Sequence, residues 1–426
     1  MARRSLTHVG GATETWGDRS SVRALEASLA VESAEGGAAA EEAARAHVHG
    51  FHTYPARIHP DTAARLVAAF TPPGGTALDP FCGSGTVLVE AKLANRDAIG
   101  TDLNPLAILL AKVKTAPMSD VEAEAILAEA TRIAEFADAR RKARAGASRR
   151  LPPEDVATFD PHVLLELDSV RTALSEVEPG PVHDALSLVL GALLVKVSKQ
   201  RGDTAGPRRA RRDGEPADAP KRIASGFVAR FFVKKAEDLV TRRRAFARAL
   251  AEAGATGRRV RVSEDDATEL RTVGASTVDS IVTSPPYAAT YDYLEPHALR
   301  LRWLGLDGGR LAKNELGSRR AYARLEPDAA RDEWRRELTR FLKAAARVTR
   351  PDARVVLVMA DSAIRSRTGG VALRADELVG DAIERLPFEP IARASQPRPH
   401  FHGPTAAAFA KRARHEHALL LQRVRG

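Results

Sequence analysis

The chain of 426 residues is 44% hydrophobic, which is enough to bury a large core and to form more than one domain. Its formal net charge of +10 suits a polyanionic partner such as nucleic acid, and its single cysteine, Cys82, excludes an internal disulfide and a cysteine-rich zinc site. No apolar run is long enough to cross a bilayer and no signal-peptide core stands at the N-terminus, so we expect a cytoplasmic protein.

The N-terminal part of the chain divides into two stretches of different composition. Residues 1–50 are polar, rich in Ala and Glu and poor in large apolar side chains, so they predict a loosely attached extension with a helix near 21–44. Residues 51–60 (FHTYPARIHP) bring aromatic, proline and basic residues together just before a helical pattern at 61–70. We interpret the second stretch as the start of the main domain.

A strand and a glycine-rich turn organise the rest of the chain. The apolar run 76–78 ends in Asp79 and continues as a turn (LDPFCGSGT, 78–86) that contains Gly83 and Gly85. Glycine lacks a Cβ, so the backbone can turn tightly there and approach a ligand closely. The helix that follows directs its N-terminal amides to the same place. This arrangement predicts a strand that leads into a nucleotide-sized pocket.

A second strand, 98–100, follows that helix and leads to Asp102. In a doubly wound sheet, an acid at this distance from the glycines can accept hydrogen bonds from both ribose hydroxyls of a bound nucleoside. Asp102 is therefore our candidate ribose ligand. A carboxylate at this position discriminates against a 2′-phosphate, which favours an adenosyl cofactor over NADP.

The middle of the chain, 117–258, has helical periodicity and almost no strand signal, and we interpret it as a helical insertion. The expected helices are 121–144, 161–174, 182–199 and 227–250. Between them, residues 200–222 are rich in Gly, Pro, Arg and Asp and predict a mobile basic loop. The candidates for phosphate contacts in this loop are Arg208, Arg209, Arg211 and Arg212. A solvated linker is an equal alternative.

Strand and helix signals alternate again after the insertion. Strand 259–263 leads into the adjacent acids Asp265 and Asp266. A further strand, 276–282, leads into the run TSPPY at 283–287. Both strands therefore end in polar residues, as the first strand does before the glycine-rich turn.

The remainder of the chain predicts ordinary elements of an α/β domain. The expected helices and strands are 291–305, 334–348, 353–360, 374–386 and 417–422. Residues 308–322 form a glycine- and arginine-bearing loop that, with the helix before it, is a candidate nucleic-acid contact. His400 and His402 lie in an irregular stretch without a third suitably spaced ligand, so we assign no metal site.

Three of these runs resemble motifs of the methyltransferases that use S-adenosylmethionine (SAM). The glycine-rich turn resembles motif I through Asp79, Pro80, Phe81, Gly83, Gly85 and Thr86. The run TSPPY resembles motif IV of the members that methylate exocyclic amino groups of DNA bases, and residues 51–60 resemble motif X of the same enzymes. The resemblance covers most of 51–116 and 259–425, and it implies SAM as the cofactor.

The resemblance also implies which residues hold the cofactor. Motif X lies beside its methionine end. Residues 264–268 resemble motif III, whose acid lies near the adenine amino group. Asp266 is the better match to that acid, with Asp265 as the local rival. We expect a side chain at Gly85 to occupy the space that the cofactor needs. The expected cofactor contacts are Tyr54, Pro55, Asp79, Pro80, Phe81, Gly83, Gly85, Thr86, Asp102, Leu103 and Asp266.

The chemistry of amino-group methylation explains each residue of motif IV. The amino group of a base is a poor nucleophile because its lone pair is delocalised into the ring. The Ser284 hydroxyl and the Pro285 carbonyl can both hydrogen-bond this amino group and free the lone pair for attack. Pro286 helps to stiffen the backbone. Tyr287 can stack on a base taken out of the helix, which offsets an unstacking cost of roughly a few kcal/mol.

Together these signals predict an α/β fold with a Rossmann-like class I methyltransferase sheet, mostly parallel and doubly wound, and an α-helical insertion. The expected divisions are an N-terminal extension (1–50), a SAM-binding half (51–116), the insertion with possible DNA recognition (117–258) and a catalytic half (259–426). No nuclease signature accompanies them, so we expect a stand-alone modification enzyme that acts on double-stranded DNA.

The resemblance leaves the target open between several classes. Serine as the first residue of SPPY and the Pro-Ala-basic form of motif X are commoner in the cytosine-N4 enzymes, so we favour N4-methylcytosine over N6-methyladenine. An RNA methyltransferase of the tRNA guanine-N2 type is an alternative, although the N-terminal extension is too short for the RNA-binding domain that those enzymes usually carry. A nucleic-acid-binding protein with an inactive methyltransferase core is the non-enzymatic alternative, and the intact candidate residues argue against it.

Overall fold

The computed structural model describes residues 11–30, 44–52, 54–55, 57–199, 223–366, 369–398 and 407–425. The predictions for the basic loop 200–222 and for His400 and His402 lie outside these residues. Within the described ranges, no helix is long and apolar enough to span a membrane.

The centre of the fold is an eight-stranded sheet, accompanied by a separate two-stranded hairpin. The strands in chain order are β1 (Glu14–Gly17), β2 (Thr76–Asp79), β3 (Asp97–Asp102), β4 (Val260–Glu264), β5 (Val278–Thr283), β6 (Thr349–Ala360), β7 (Ser362–Ser366), β8 (Gly369–Leu373), β9 (Phe388–Pro397) and β10 (His415–Arg423). The hairpin pairs β7 with β8.

The sheet has the spatial order β1-β9-β10-β6-β5-β2-β3-β4. The strands from β6 to β4 run parallel to one another. At the other edge, β10, β9 and β1 pair antiparallel with their neighbours. This arrangement, with helices between the parallel strands, confirms the predicted α/β class and the mostly parallel sheet.

Helices connect the strands and cover the sheet. They are α1 (Arg19–Leu29), α2 (Pro60–Phe70), α3 (Thr86–Leu93), α4 (Pro105–Thr115), α5 (Asp120–Lys142), α6 (Pro153–Thr158), α7 (Pro161–Leu174), α8 (Pro181–Val197), α9 (Phe227–Glu252), α10 (Leu294–Leu304), α11 (Gly309–Asn314), α12 (Arg319–Tyr322), α13 (Pro327–Val348) and α14 (Ala375–Ile383). A side chain caps the starts of α1, α2, α4 and α5. At α4, for example, the Asn104 side chain accepts the Leu106 amide at 3.0 Å and Pro105 is the first helical residue.

The two faces of the sheet belong to two separate apolar cores, because successive residues of a strand point to opposite faces. On one face, strand residues pack with α1, α2 and α3; they include Ala77, Ala98, Val282 and Val356. On the other face, strand residues pack with α13 and α14; they include Leu78, Ile99, Ile281 and Val355. Coverage on both sides explains why these strands are continuous hydrophobic runs in the sequence.

The strand order reverses between β2 and β5. From β2 the chain continues through β3 and β4 on one side, and it then returns to place β5 on the other side. The parallel register sets Asp79 beside Gly100 and Asp102 beside Glu264, so the carboxyl ends of these strands lie at one edge. Ligands of doubly wound sheets bind outside the carboxyl ends at such a reversal.

The region predicted as an insertion is helical, and its helices α5 to α9 pack on α4 and α10 in a third core. Glu166, which is 4% exposed, accepts the amides of Gly226 at 2.6 Å and Val228 at 3.1 Å. This buried carboxylate therefore caps the start of α9. This core joins the helices of 117–258, the helical layer, to α4, which follows β3, and to α10, which follows β5. The role of the helical layer as a separate recognition domain remains a prediction.

The described N-terminal residues belong to the sheet and its core, which corrects the expectation of a loosely attached extension. Strand β1 pairs with β9 at the sheet edge. Helix α1 places Leu25 and Leu29 in the core beside α2, and the Thr62 hydroxyl donates to the backbone oxygen of Ser28 at 2.8 Å. Few large apolar residues are needed because they lie on one side of the helix.

We expect Leu25→Ala to lower the free energy of unfolding by about 2 to 4 kcal/mol, because the side chain is fully buried and its removal leaves a cavity. Glu26→Ala, an exposed position on the same helix, is the control and should change the stability by less than about 0.5 kcal/mol. Urea denaturation followed by circular dichroism measures both. Equal stabilities of the two variants would show that α1 is not part of the core.

Candidate active site

A cavity lies outside the carboxyl ends of β2, β3 and β5, at the reversal of the strand order. Most of the residues predicted to hold a cofactor line it: Tyr54, Pro55, Asp79, Pro80, Phe81, Gly83, Thr86, Asp102 and Leu103. Ser284 and Pro286 of the run TSPPY line the same cavity. The structure thus brings together three runs that are far apart in the sequence.

The turn after β2 is held by the buried carboxylate of Asp79. Its Oδ1 accepts the Thr283 hydroxyl at 2.6 Å and the Phe81 amide at 3.2 Å. Burial raises the pKa of Asp79 to about 7, although the Thr283 hydrogen bond opposes the shift. The bond to Thr283 joins the end of β2 to the end of β5, so it fixes the glycine-rich turn relative to the TSPPY run.

The two glycines of the turn have different roles. Gly83 has φ +47° and lines the cavity, and a Cβ there would lie 3.1 Å from the Tyr54 ring. Gly85 has φ +79°, and a Cβ there would lie 3.1 Å from Ala111 of α4. The expectation that a side chain at Gly85 enters the cofactor space is therefore corrected: Gly85 allows α3 to approach α4, and it is not among the lining residues of the described chain.

Asp102, at the end of β3, faces the glycine-rich turn. Its Oδ2 accepts the Gly83 amide at 2.9 Å and its Oδ1 accepts the Asn104 amide at 2.8 Å. Burial raises the pKa of Asp102 to about 6, and the two amide hydrogen bonds oppose that shift. At neutral pH the carboxylate is ionised, and each oxygen keeps acceptor capacity for a hydroxyl of a ligand.

The cavity contains buried polar groups that fit a polar ligand. The hydroxyls of Ser84 and Thr86 are buried, line the cavity and have no hydrogen-bond partner among the described residues. A buried polar group without a partner costs about 1 to 3 kcal/mol, so a ligand that hydrogen-bonds these hydroxyls gains affinity. Together with the Asp102 carboxylate, they fit a nucleoside with further polar groups.

The residues before α2 form the wall opposite the turn. The Tyr54 hydroxyl accepts the Asn104 side-chain amide at 3.2 Å, and its ring stacks on His297 with the ring centroids 5.0 Å apart. Burial raises the pKa of Tyr54, so its hydroxyl stays protonated. Arg57 lines the cavity and donates to the His49 carbonyl at 2.7 Å. Arg57 belongs to the run that the resemblance places beside the methionine end of the cofactor.

The two adjacent acids after β4 differ in position. Asp265 lines the cavity, whereas Asp266 is outside the lining formed by the described residues. Asp266 Oδ1 accepts the Thr268 amide at 2.8 Å and the Thr268 hydroxyl at 2.7 Å, so it builds the local turn. Asp265 Oδ2 is bound by Thr272, while its Oδ1 accepts only the Asp266 amide among the described contacts. The geometry favours Asp265, the rival, as the acid near a ligand.

The TSPPY run places alternate residues at the cavity. Ser284 and Pro286 line it, and Pro285 and Tyr287 are outside the described lining. Tyr287 packs with the core on the α13 side of the sheet. Burial raises the pKa of Tyr287, a shift that a hydrogen bond with Ser284 partly opposes, so the phenol is neutral.

Further wall residues come from the segment after the TSPPY run, which sequence reasoning did not assign to the site. These residues are Tyr293, Leu311, Glu315 and Leu316. Three of the five tyrosines in the chain, Tyr287, Tyr291 and Tyr293, lie at the end of the TSPPY run and just after it. This clustering was the sequence signal that could have assigned the segment to the site. The Tyr291 and Tyr293 ring centroids lie 6.2 Å apart. Tyr293, rather than Tyr287, is the aromatic residue of this cluster on the cavity wall.

Comparisons with known proteins find relatives of the part of the chain that contains the glycine-rich turn. Residues 28–113, which contain the glycine-rich turn and Asp102, match a family model described as DNA methylase. Type II methyltransferase M.MvaI of Kocuria varians is 40% identical over 73 residues, 16% of this chain and 16% of that protein. Type II methyltransferase M.MjaII of Methanocaldococcus jannaschii is 37% identical over 68 residues, 16% of this chain and 13% of that protein. The matches therefore span a small part of either relative.

These matches confirm the predicted resemblance and SAM as the cofactor that it implies. Among solved structures, TrmN from Thermus thermophilus has a TM-score of 0.33 at 12% identity, over 86% of this chain and 49% of that one. The rRNA methyltransferase aviRa from Streptomyces viridochromogenes has a TM-score of 0.32 at 14% identity, over 88% of this chain and 89% of that one. Both similarities are too low to bear on the substrate.

We expect Asp102→Asn to weaken SAM binding by about 1 to 3 kcal/mol, because the amide cannot accept charge-assisted bonds from both ribose hydroxyls. In the native protein the affinity should fall as the pH is lowered through about 6, since the raised pKa of Asp102 lets the carboxylate take up a proton in that range. Isothermal titration calorimetry from pH 5 to pH 8 measures both effects.

The matched control for this prediction is Asp97→Asn at the opposite end of the same strand, where the carboxylate accepts the Arg259 amide at 2.9 Å. It should leave the SAM affinity unchanged. An Asp102→Asn variant with native affinity and a native pH profile would show that Asp102 is not the ribose ligand.

Proposed function

We propose that this chain, whose residues 28–113 match a family model described as DNA methylase, is a SAM-dependent enzyme that methylates an exocyclic amino group of a DNA base. The observation that carries the proposal is the shared cavity. The glycine-rich turn and Asp102 line one part of it, and Ser284 and Pro286 line another. A methyl donor and an acceptor amino group can therefore meet in one place.

The residues of this chain have to activate the amino group and hold it in position. We assign the hydrogen-bond acceptors to the Ser284 hydroxyl, which lines the cavity, and to the backbone carbonyl of Pro285, which stands between the lining residues Ser284 and Pro286. Both would draw the amino nitrogen towards a tetrahedral geometry. The neutral Tyr287 phenol, packed in the core, helps to hold Ser284. Bound SAM supplies an activated methyl group, so the chemistry requires no nucleophile from the protein and no metal.

We further propose that the methyl acceptor is a base of double-stranded DNA that has been turned out of the helix. An amino group inside a duplex cannot reach a cavity at the end of a strand, so the base must be extruded at a cost of roughly a few kcal/mol. Tyr293 on the wall and Tyr291 beside it offer aromatic faces that offset this cost.

Cytosine N4 is our proposed target, with adenine N6 as the alternative. The choice rests on the serine at the start of SPPY and on the Pro-Ala-basic form of the run at 55–57. Both amino groups need the same hydrogen-bond acceptors, so the cavity chemistry alone accommodates either base.

The product distinguishes these possibilities directly. Purified protein is incubated with SAM and unmethylated genomic DNA, and the digested nucleosides are identified by mass spectrometry, with total RNA as a parallel substrate. We expect N4-methylcytosine in the DNA. If N6-methyladenine is the only product, the target base is adenine and the proposed mechanism of amino-group methylation still holds. Methylation of RNA only, of cytosine C5, or of neither nucleic acid would overturn the proposed function.

We expect Ser284→Ala to lower kcat by about 10²-fold or more while changing the DNA affinity only a few-fold, because its hydrogen bond strengthens as the amino nitrogen becomes tetrahedral. Ser175→Ala, an exposed serine of the helical layer, is the control and should keep native kinetics. Radiolabelled methyl transfer gives kcat, and anisotropy of labelled DNA gives affinity. Normal turnover of Ser284→Ala would contradict its catalytic role.

A further inference from the structure

The loop that carries the catalytic run is bound to a basic segment on its outer side. We define the catalytic loop as residues 284–293 and the arginine segment as residues 309–324. The Ala289 amide donates to the Gly317 carbonyl at 2.9 Å, and the Arg319 amide donates to the Tyr291 carbonyl at 3.1 Å. Gly317, with φ +61°, lies so close that a Cβ would be 3.2 Å from Ala288. The two stretches therefore share a continuous backbone contact.

A buried carboxylate of the catalytic loop reinforces this contact. Asp292 accepts the Ser318 hydroxyl at 2.9 Å, the Arg320 amide at 3.0 Å and Arg319 Nε at 3.2 Å. Its side chain is 2% exposed, and these hydrogen bonds outweigh burial and hold the pKa of Asp292 below its usual value. The Asp292 carboxylate thus holds two neighbouring arginines at the edge of the catalytic loop.

A second buried carboxylate acts from the arginine segment itself. Glu315 accepts the Tyr293 backbone amide, and its Oε2 lies 3.3 Å from Arg320 Nη2. Glu315 also lines the cavity, as do Leu311 and Leu316 of the same segment. One side of the arginine segment is therefore part of the cavity wall.

The outer side of the arginine segment is cationic. Its basic residues are all exposed: Arg310, Lys313, Arg319, Arg320 and Arg324. Its one acid is Glu315, whose side chain is only 3% exposed. The side chains of Arg319 and Arg320 are 60% and 49% exposed. Arg310 is paired with Glu264 at 3.1 Å, and the other four cations still make a surface beside the cavity wall that attracts a polyanion.

The ion pairs with Asp292 and Glu315 leave much of the two guanidinium groups available. Each guanidinium carries five N–H donors in a planar fork. Among the described contacts, Arg319 uses Nε on Asp292, and Arg320 uses Nε and Nη2 on the two carboxylates. The remaining donors, held in place by these bonds, suit the oxygens of a phosphodiester.

We propose that the arginine segment is a DNA-backbone clamp, in which Arg319 and Arg320 bind phosphates beside the extruded nucleotide and thereby set the position of its base over the catalytic loop. This rests on the proposed function, since it takes DNA as the substrate. It places the contacts with the DNA backbone on the arginine segment beside the cavity, and it does not depend on the helical layer. Phosphate contacts of this kind position a duplex without reading its sequence.

The test measures how the affinity for labelled duplex DNA depends on salt, between about 50 and about 200 mM, with S-adenosylhomocysteine present. R319Q/R320Q keeps hydrogen-bonding side chains and removes both charges. We expect its affinity to fall about 10-fold or more, and the slope of log affinity against log salt to decrease by about 1 to 2, at about 0.9 for each lost phosphate contact. R319K/R320K should keep most of the slope.

R335Q/R336Q is the matched control, because these adjacent arginines are also exposed and ion-paired, with Asp332 at 3.3 Å and Glu333 at 2.6 Å on α13. It should keep the native slope. Calorimetry with SAM and thermal melting check the fold of each variant. If R319Q/R320Q is destabilised, Arg319→Gln replaces it, since Arg320 then keeps both carboxylates, and the slope should fall by about 1.

Native slope and affinity in folded R319Q/R320Q, or a decrease no larger than that of R335Q/R336Q, would overturn the clamp. The proposed function fails by a different result. If the native protein neither methylates DNA nor binds duplex with a salt-dependent affinity, DNA is not its substrate. If the native protein methylates DNA and R319Q/R320Q binds DNA as the native protein does, the clamp proposal fails and the proposed function stands.

Discussion

The hydrogen bond between the Gly83 amide and the Asp102 carboxylate ties the turn after β2 to the end of β3, and the rest of the site depends on it. The parallel register brings these strand ends to one edge, and the bond of Thr283 to Asp79 adds the end of β5. Each contact joins the carboxyl ends of neighbouring strands, and the Thr283 contact crosses the point where the strand order reverses. The cavity is therefore a direct product of the sheet topology.

Burial gives these contacts their chemical character. Removal from water raises the pKa values of Asp79 to about 7 and of Asp102 to about 6, so both acids titrate close to neutral pH instead of near 4. The same burial leaves the Ser84 and Thr86 hydroxyls without partners among the described residues. A site with unpaired polar groups and costly charges is less stable alone than with a ligand, and this is the usual state of a binding site.

The sequence predicted the parts of the site that depend on short-range geometry. A strand, an acid and a glycine turn follow one another within a few residues, so Asp79 and Gly83 could be placed from the local sequence. Asp102 could be placed because it ends the next strand of a regular strand-helix-strand pattern. The choice between Asp265 and Asp266 could not be made from the sequence, because a shift of one position along the turn changes which side chain faces the cavity. Gly85 was misread for a similar reason: its missing Cβ faces α4, a packing contact that the local sequence does not contain. The wall at Tyr293 and the docking of α1 likewise depend on long-range contacts.

In the proposed reaction, one cavity holds both the methyl donor and the acceptor amino group. A crystal structure of the protein with S-adenosylhomocysteine tests it most directly. We expect the ribose hydroxyls on the Asp102 carboxylate and the sulfur on the side of the cavity that Ser284 lines, within reach of an amino group hydrogen-bonded there. A nucleoside bound elsewhere, or a sulfur directed away from Ser284 with the cavity closed between them, would contradict the account.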